Sequence, residues 1–255
     1  MFFREEYIGE FRFVEYSPYR LTHPGYAIVA LPDAGLVGVI GASHMIKVLG
    51  MEEVGGADSP LLPPVTIVSK GEIRLPIRIF AKNNILLIYS EIALPPQAMY
   101  GFSRALIDYV ERKGSEHLIL MTGLAVPHRF EIESLRTYYI PTTKEADEAA
   151  KGSGAQRFEN GFLVGPYALL LKEAVRARMS TLMVATESFL EFPDPEASAR
   201  NLQVIGKVIG VEIDVKELLE KAEVIRLRAR DAMKSVMKNL EQMRKEYEYA
   251  PPLHI

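Results

Sequence analysis

The chain has no cysteine, no tryptophan and only five histidines among its 255 residues. The absence of cysteine excludes disulfides, thiolate nucleophiles and cysteine-ligated metal sites. The histidines stand at positions 23, 44, 117, 128 and 254, and no two of them have the i, i+4 spacing by which a helix holds zinc. We therefore predict no metal site and no bound cofactor.

The sequence also lacks a strong charge bias and a long apolar run. Its formal net charge is −3, which gives no general affinity for nucleic acid or for an anionic membrane surface. No apolar run approaches the ~20 residues that span a membrane, and the first residues lack the layout of a signal peptide. We expect a cytoplasmic protein that binds neither nucleic acid nor membrane.

Apolar segments with a strand pattern alternate with segments of helical period along most of the chain. This alternation predicts an α/β fold with a mixed, mostly parallel sheet and helices on both faces. Asn83-Asn84 tolerates the positive φ of a hairpin turn, and Phe11 and Phe13 alternate as in an edge strand. We predict strands at 27–31, 65–69, 73–80, 85–89, 118–124, 138–140 and 182–186, and helices at 36–49, 97–113, 144–151, 167–178 and 196–210.

A turn with three glycines joins the first buried strand to the first helix. Gly35, Gly38 and Gly41 recur every third residue, which lets the N-terminus of the helix press against the preceding strand. Such corners receive phosphate in many α/β folds, but this turn has no basic residue and neither of the glycine-rich nucleotide fingerprints. We expect Asp33 in this turn to cap the nearby helix, the alternative being a functional side chain at the end of the strand.

The last forty residues have a different pattern. Residues 215–249 contain no proline or glycine, and their apolar residues recur at steps of three and four, which predicts one helix of roughly 50 Å with a continuous apolar seam. We divide the chain into an α/β domain (1–213), this long helix (214–249) and an exposed tail (250–255) that follows it. Such a seam must be covered, by the chain's own domain or by another subunit, and the pattern alone does not decide between them. The seam residues are Leu218, Ala222, Ile225, Ala229, Val236, Leu240 and Met243.

Seven short motifs follow one another between residues 26 and 219: Leu31-Pro32-Asp33-Ala34-Gly35-Leu36-Val37-Gly38, Asp58-Ser59-Pro60-Leu61-Leu62-Pro63-Pro64, Gly71-Glu72-Ile73-Arg74-Leu75-Pro76, Tyr89-Ser90-Glu91 with Leu94-Pro95-Pro96, Thr122-Gly123-Leu124, Asn160-Gly161-Phe162-Leu163-Val164-Gly165, and Pro193-Asp194-Pro195-Glu196-Ala197. Each motif is short. In this order and at these separations, they resemble the proteasome assembly chaperone 2 family in its archaeal or bacterial form.

The resemblance implies a fold like that of purine nucleoside phosphorylase and a function without catalysis. It implies a homo-oligomeric chaperone or scaffold, with or without a paralogue, that binds proteasome α subunits or the core proteasome and assists its assembly. Some members of the family dock through a final hydrophobic–tyrosine–any tripeptide. Leu253 and Ile255 fit that pattern, whereas His254 replaces the tyrosine. These three residues are therefore the candidate partner-binding tail.

An enzyme is the alternative from a different class, with a pocket for a nucleoside or phosphate ligand at the carboxyl ends of the strands. It would be phosphorylase-like or an ATP-dependent ligase, and Asp33, Gly35, Gly38 and Glu91 would line the pocket. No serine or threonine has a nucleophile-elbow context, and no pair of titratable groups converges in the sequence. We therefore predict no catalytic residue, and we expect His44 to be a partly buried, hydrogen-bonded histidine.

Overall fold

A computed structural model of the chain describes residues 3–220. In this range, a ten-stranded sheet is packed between helices, and a separate two-stranded hairpin stands beside it. The strands are β1 (Arg4–Ile8), β2 (Phe11–Glu15), β3 (Tyr26–Ala30), β4 (Glu52–Asp58), β5 (Ile67–Ser69), β6 (Glu72–Arg74), β7 (Ile77–Lys82), β8 (Ile85–Ser90), β9 (His117–Ala125), β10 (Thr137–Pro141), β11 (Gln156–Arg157) and β12 (Ser180–Ser188). The helices are α1 (Val37–Leu49), α2 (Pro96–Arg112), α3 (Lys144–Ala150), α4 (Pro166–Ala177), α5 (Pro195–Ile209) and α6 (Lys216–Glu220), with short 3₁₀ turns at Ala34–Leu36 and Arg129–Glu131.

The large sheet has the strand order β1-β2-β4-β7-β8-β3-β9-β12-β10-β11. Five of its nine neighbouring pairs are antiparallel, so the prediction of a mostly parallel sheet is wrong, although the mixed α/β fold is confirmed. Parallel pairing occurs in the run β8, β3, β9 and β12 and in the pair β10 and β11, which is joined through α3. The neighbouring strands β7 and β8 are joined by the predicted turn at Asn83-Asn84, and a tight turn gives antiparallel pairing.

Two strand predictions need correction, and strands β1, β4 and β11 were not predicted. The strand that contains Phe11 and Phe13 lies second in the sheet, because β1 covers its outer side. The strand predicted at 73–80 is two strands, since β6 pairs with β5 outside the main sheet and β7 joins β4 and β8 after Pro76. Strand β4 was not predicted, because its acidic residues and two glycines hide the strand pattern.

Alternate residues of the strands supply two cores, one on each face of the sheet. On one face, Ala27 and Val29 of β3 belong to a core that includes Phe102 of α2 and Leu170 of α4. On the other face, the core joins Ile28 and Ala30 of the same strand to side chains of α1 and α5, among them Met45 and Leu202. The prediction of helices on both faces is therefore confirmed.

Helix α6 packs on the second of these cores through Leu218, the first residue of the predicted seam, which is 1% exposed. The rest of the predicted helix and the tail lie outside the described residues. His44 is buried, and its Nε2 lies 2.6 Å from the carbonyl oxygen of Asp214, which confirms the expected hydrogen-bonded histidine. No helix in the part of the chain that the structure describes is long and apolar enough to cross a membrane.

Candidate functional site

The carboxyl ends of β3, β9 and β12 meet at one edge of the sheet, because these neighbouring strands run parallel. In open α/β sheets, ligands bind at this edge, in the crevice outside the strand ends. The turn after β3 and the loops after β9 and β12 lie there. This edge is therefore the first place to look for a functional site.

The turn after β3 has a fixed, unusual backbone. Gly35 and Leu36 both take left-handed conformations, with φ of 62° and 50°. A Cβ at position 35 would also lie 2.9 Å from the Cβ of Ser188, so both the conformation and the space require glycine there. Helix α1 follows directly and has no side-chain cap at its N-terminus.

The same turn is seated directly on β9. A Cβ at Gly123 would lie 2.2 Å from the carbonyl oxygen of Ala34, and a Cβ at Gly38 would lie 2.5 Å from that of Met121. The motif glycines on α1 and β9 therefore serve close packing between backbone segments. This is the structural role that glycine has in tight helix–sheet contacts.

The carboxyl group of Asp33 faces β9 across this contact. Its Oδ2 accepts a hydrogen bond of 2.5 Å from Oγ1 of Thr122, and its side chain makes no helix-capping bond, so the predicted capping role is wrong. Burial of the carboxyl raises the pKa of Asp33 above its ordinary value, and the bond from Thr122 limits the rise, although the residue as a whole is exposed. Thr122 is completely buried. Its hydroxyl is therefore not open to a substrate.

We expect the change Asp33→Asn to stabilise the protein at neutral pH. A raised pKa in the folded state means that the fold loses stability as the pH rises through the interval between the unfolded and folded pKa values of Asp33, and asparagine removes that loss. The gain should be small, roughly 0.5 kcal/mol, because solvent screens an exposed residue. Urea unfolding at a series of pH values between 3.5 and 7 measures it.

The matched variant for this experiment is Thr122→Val, which keeps the shape of the side chain and removes the hydroxyl donor. It should cost about 1 kcal/mol in the wild-type background and less in combination with Asp33→Asn. A pH profile of Asp33→Asn that superimposes on the wild-type profile would contradict the assignment.

Two further polar side chains tie helices to the strand ends. The hydroxyl of Tyr167, at the start of α4, accepts from the backbone N–H of Leu31 and donates to the carbonyl of Met121, each at 2.8 Å. Burial raises the pKa of this tyrosine, so that it remains a neutral structural donor. From the other face, Nδ2 of Asn201 on α5 donates to the carbonyl oxygens of Thr122 and Val184. Sequence reasoning missed both, and the only signal was a polar residue inside an apolar helical pattern.

A buried ion pair, which we call the clamp, joins the loops after β9 and β12. Nε of Arg129 lies 2.8 Å from Oδ2 of Asp194. Nη2 of the same arginine lies 2.9 Å from Oε2 of Glu196. Asp194 also caps α5 through the N–H of Ala197, and its own N–H donates to the carbonyl of Gly35. The clamp thus holds three loops of the edge together. Asp194 lies in a sequence motif typical of the start of a helix, so its capping role could be predicted. The sequence around Arg129 contains no motif that predicts an ion pair with Asp194.

Glu91 lies at the end of the neighbouring strand β8 and is exposed. Burial raises the pKa of Tyr89 well above its ordinary value, and the hydrogen-bonded carboxylate of Glu91 adds to that effect. The carboxylate of Asp33 interacts with Thr122 and not with the Tyr89–Glu91 pair. The structure therefore places Asp33 and Gly35 in the turn after β3 and Gly38 in the first turn of α1, whereas Glu91 lies beside Tyr89 at the end of β8. Among residues 3–220, no three histidine, aspartate or glutamate side chains are grouped so that they would hold a metal ion. The tail residues Leu253, His254 and Ile255 lie beyond this range.

The fold is that of a group of solved archaeal and bacterial structures. Pyrococcus furiosus PbaA, an archaeal homologue of proteasome-assembly chaperone, is 27% identical, with a TM-score of 0.81 over 89% of this chain and 98% of its own. Pyrococcus furiosus PbaB, an archaeal proteasome activator, is 20% identical, with a TM-score of 0.72 over 92% of this chain and 100% of its own.

The family follows from the sequence. The model of the PAC2 family matches residues 27–233, and the chain belongs to this family. An uncharacterised protein of Methanocaldococcus jannaschii is 23% identical over 94% of this chain and 98% of its own length. The resemblance drawn from the seven motifs is confirmed.

Proposed function

We propose that this protein is a non-enzymatic chaperone of the cytoplasm that binds proteasome subunits and assists proteasome assembly. The observation that carries the proposal is the likeness to PbaA, which extends over 89% of this chain at a TM-score of 0.81. Membership of the PAC2 family supports it. The strand-end site agrees with it, because Thr122, Tyr167 and Asn201 are each engaged in contacts that hold the fold together.

The enzyme alternative finds little support at the same edge. The hydrogen bond between Asp33 and Thr122 has the form of a base beside a nucleophile, but the hydroxyl is completely buried. Thermal unfolding with a panel of nucleosides, nucleotides and inorganic phosphate tests this alternative. A ligand that raises the melting temperature in a concentration-dependent way would favour an enzyme or a small-molecule sensor over the chaperone.

The proposal includes homo-oligomerisation through the helix predicted at 214–249. Leu218 packs on the core of its own domain, so the first turn of this segment needs no second subunit. We propose that the seam residues from Ala222 onward meet another copy of the chain or a paralogue, and that Leu253, His254 and Ile255 dock on proteasome α subunits.

Deletion of residues 221–255 should convert the oligomer into a folded monomer. The cut lies beyond Leu218 and therefore keeps every core residue that the structure describes. Native mass spectrometry measures the subunit number, and far-UV circular dichroism checks the fold. A truncated protein with the subunit number of the full chain would contradict the role of the helix.

The direct test of the function is native mass spectrometry of the full chain mixed with purified proteasome α subunits from the same organism. We expect a complex whose affinity falls on deletion of residues 251–255 and rises with His254→Tyr, which restores the tripeptide of the family. A full chain that forms no complex with the α subunits would contradict the proposed function.

A further inference from the structure

The loop between β12 and α5 exposes two large apolar side chains at the carboxyl edge of the sheet. Leu190 is 64% exposed and Phe192 is 47% exposed, and the residue between them, Glu191, is also exposed. Isolated apolar residues on a surface are common, but two on one short loop form a compact contact area. Neither belongs to the corner formed by Asp33 and the glycine turn.

Contacts with Asp194, Arg129 and Phe189 fix the position of this loop. The N–H of Phe189 donates to Oδ2 of Asp194, and the Arg129 guanidinium of the clamp lies 5.0 Å above the ring of Phe189. The rings of Phe189 and Phe192 meet edge to face at 6.3 Å. Pro193 and Pro195 further restrict the backbone at the end of the loop. A preorganised apolar loop loses little conformational entropy when it binds.

The exposed charged side chains on the loops after β9 and β12 are mainly acidic, although Arg136 is also exposed and pairs with the buried carboxylate of Glu187 at 2.7 Å. Glu131 is 79% exposed, and Glu196 is 55% exposed. The nearby cation Arg129 is only 6% exposed, and it is paired with Asp194 and with Glu196. The exposed partner of Glu131 is His128, at 3.5 Å. The loop therefore combines an apolar centre with an acidic rim.

We propose that Leu190, Glu191 and Phe192, with Glu131 and Glu196 around them, form a docking platform for a basic, apolar segment of a proteasome subunit. The proposal rests on the proposed function and names the surface and the chemistry of the contact. Leu190 and Phe192 supply the buried centre of the interface, where a few apolar anchors contribute most of the affinity. The carboxylates attract lysine or arginine side chains of the partner and set its orientation.

A second exposed apolar pair on the same molecule gives a matched control. Val68 and Ile73 face each other across the β5–β6 hairpin and are 69% and 74% exposed. Their surroundings carry both signs of charge, with Lys70, Glu72 and Arg74 on the same hairpin. This pair has the exposure of the platform without its acidic rim.

The experiment measures binding of the full chain to purified proteasome α subunits by surface plasmon resonance at two salt concentrations. The apolar variant carries Leu190→Ser and Phe192→Ser, the charge variant Glu131→Gln and Glu191→Gln, and the control variant Val68→Ser and Ile73→Ser. We expect the apolar variant to bind at least about tenfold more weakly. The charge variant should associate several-fold more slowly at low salt and show a weaker salt dependence. The control variant should bind like the wild type.

The outcomes separate this proposal from the one on which it rests. If the wild type binds and the apolar variant binds equally well, the platform is overturned and the proposed function stands. If the wild type does not bind, both are overturned. Equal losses in the apolar and control variants would indicate unspecific apolar contact and overturn the platform, and an unchanged charge variant would overturn the basic chemistry of the partner. A subunit number that falls in the apolar variant, measured by native mass spectrometry, would assign the surface to a second copy of this chain and overturn the platform as well.

Discussion

Replacing Arg129 with methionine should lower the free energy of unfolding by about 3–5 kcal/mol, the range observed when one partner of a buried ion pair is removed. Asp194 is 1% exposed, and without the guanidinium its carboxylate keeps only the N–H groups of Phe189 and Ala197. The charge is then buried without a counter-charge. Urea unfolding followed by circular dichroism measures the change.

Arg176→Met is the matched control for this prediction. Arg176 pairs with Glu173 at 2.6 Å on the surface of α4, and an exposed pair of this kind contributes at most about 0.5 kcal/mol. Asp194→Asn combined with Arg129→Met should lose less stability than the two single changes together, because the double variant carries no unpaired buried charge. A loss below about 1 kcal/mol in Arg129→Met would show that the clamp contributes little to stability.

Gly123→Ala should lower the free energy of unfolding by about 3 kcal/mol, at the upper end of the usual cost of overpacking. The added Cβ would lie 2.2 Å from the carbonyl oxygen of Ala34 and 2.4 Å from Oγ of Ser188. The hydroxyl of Ser188 can rotate away, but the carbonyl belongs to the backbone of the turn after β3. The turn must therefore move off β9, which also disturbs the bond between Asp33 and Thr122.

The control for this change is Gly101→Ala in the middle of α2. A Cβ there meets nothing closer than 3.4 Å, and alanine stabilises a helix interior relative to glycine by roughly 0.5–1 kcal/mol. The same substitution should therefore change stability in opposite directions at the two sites. Equal and small effects in urea unfolding would show that the turn yields easily and that its contact with β9 is loose.

The elements with a clear apolar pattern were predictable from the sequence, but the pairing between them was not, apart from the β7–β8 hairpin. The predictions for β3, α1, α2 and β9 agree with the structure to within a few residues, because the two helices repeat apolar residues at helical spacing and the two strands are short, nearly continuous apolar runs. Strand β4 escaped prediction, since its stability comes from neighbours in the sheet. The antiparallel half of the sheet depends on which strands meet, and local composition does not encode that choice.

The candidate site shows the same limit. The position of Asp33 in a strand-end turn could be predicted, but its partner Thr122 lies 89 residues away along the chain, and a local capping role was therefore expected instead. The clamp joins Arg129 to Asp194 across 65 residues, so neither residue indicates the other. Polar groups that bond across the sheet depend on topology, which a single sequence gives only in outline.

The central position of β3 has a consequence for biosynthesis. This strand pairs with β8 on one side and β9 on the other, so both of its neighbours are made later than the strand itself. During translation, residues 26–30 leave the ribosome as an apolar segment whose two partners are complete only when residue 125 has emerged. The β7–β8 hairpin can form during this interval from residues close in sequence, whereas the middle of the sheet must wait. We therefore expect the nascent chain to depend most on protection from aggregation between these two points of synthesis.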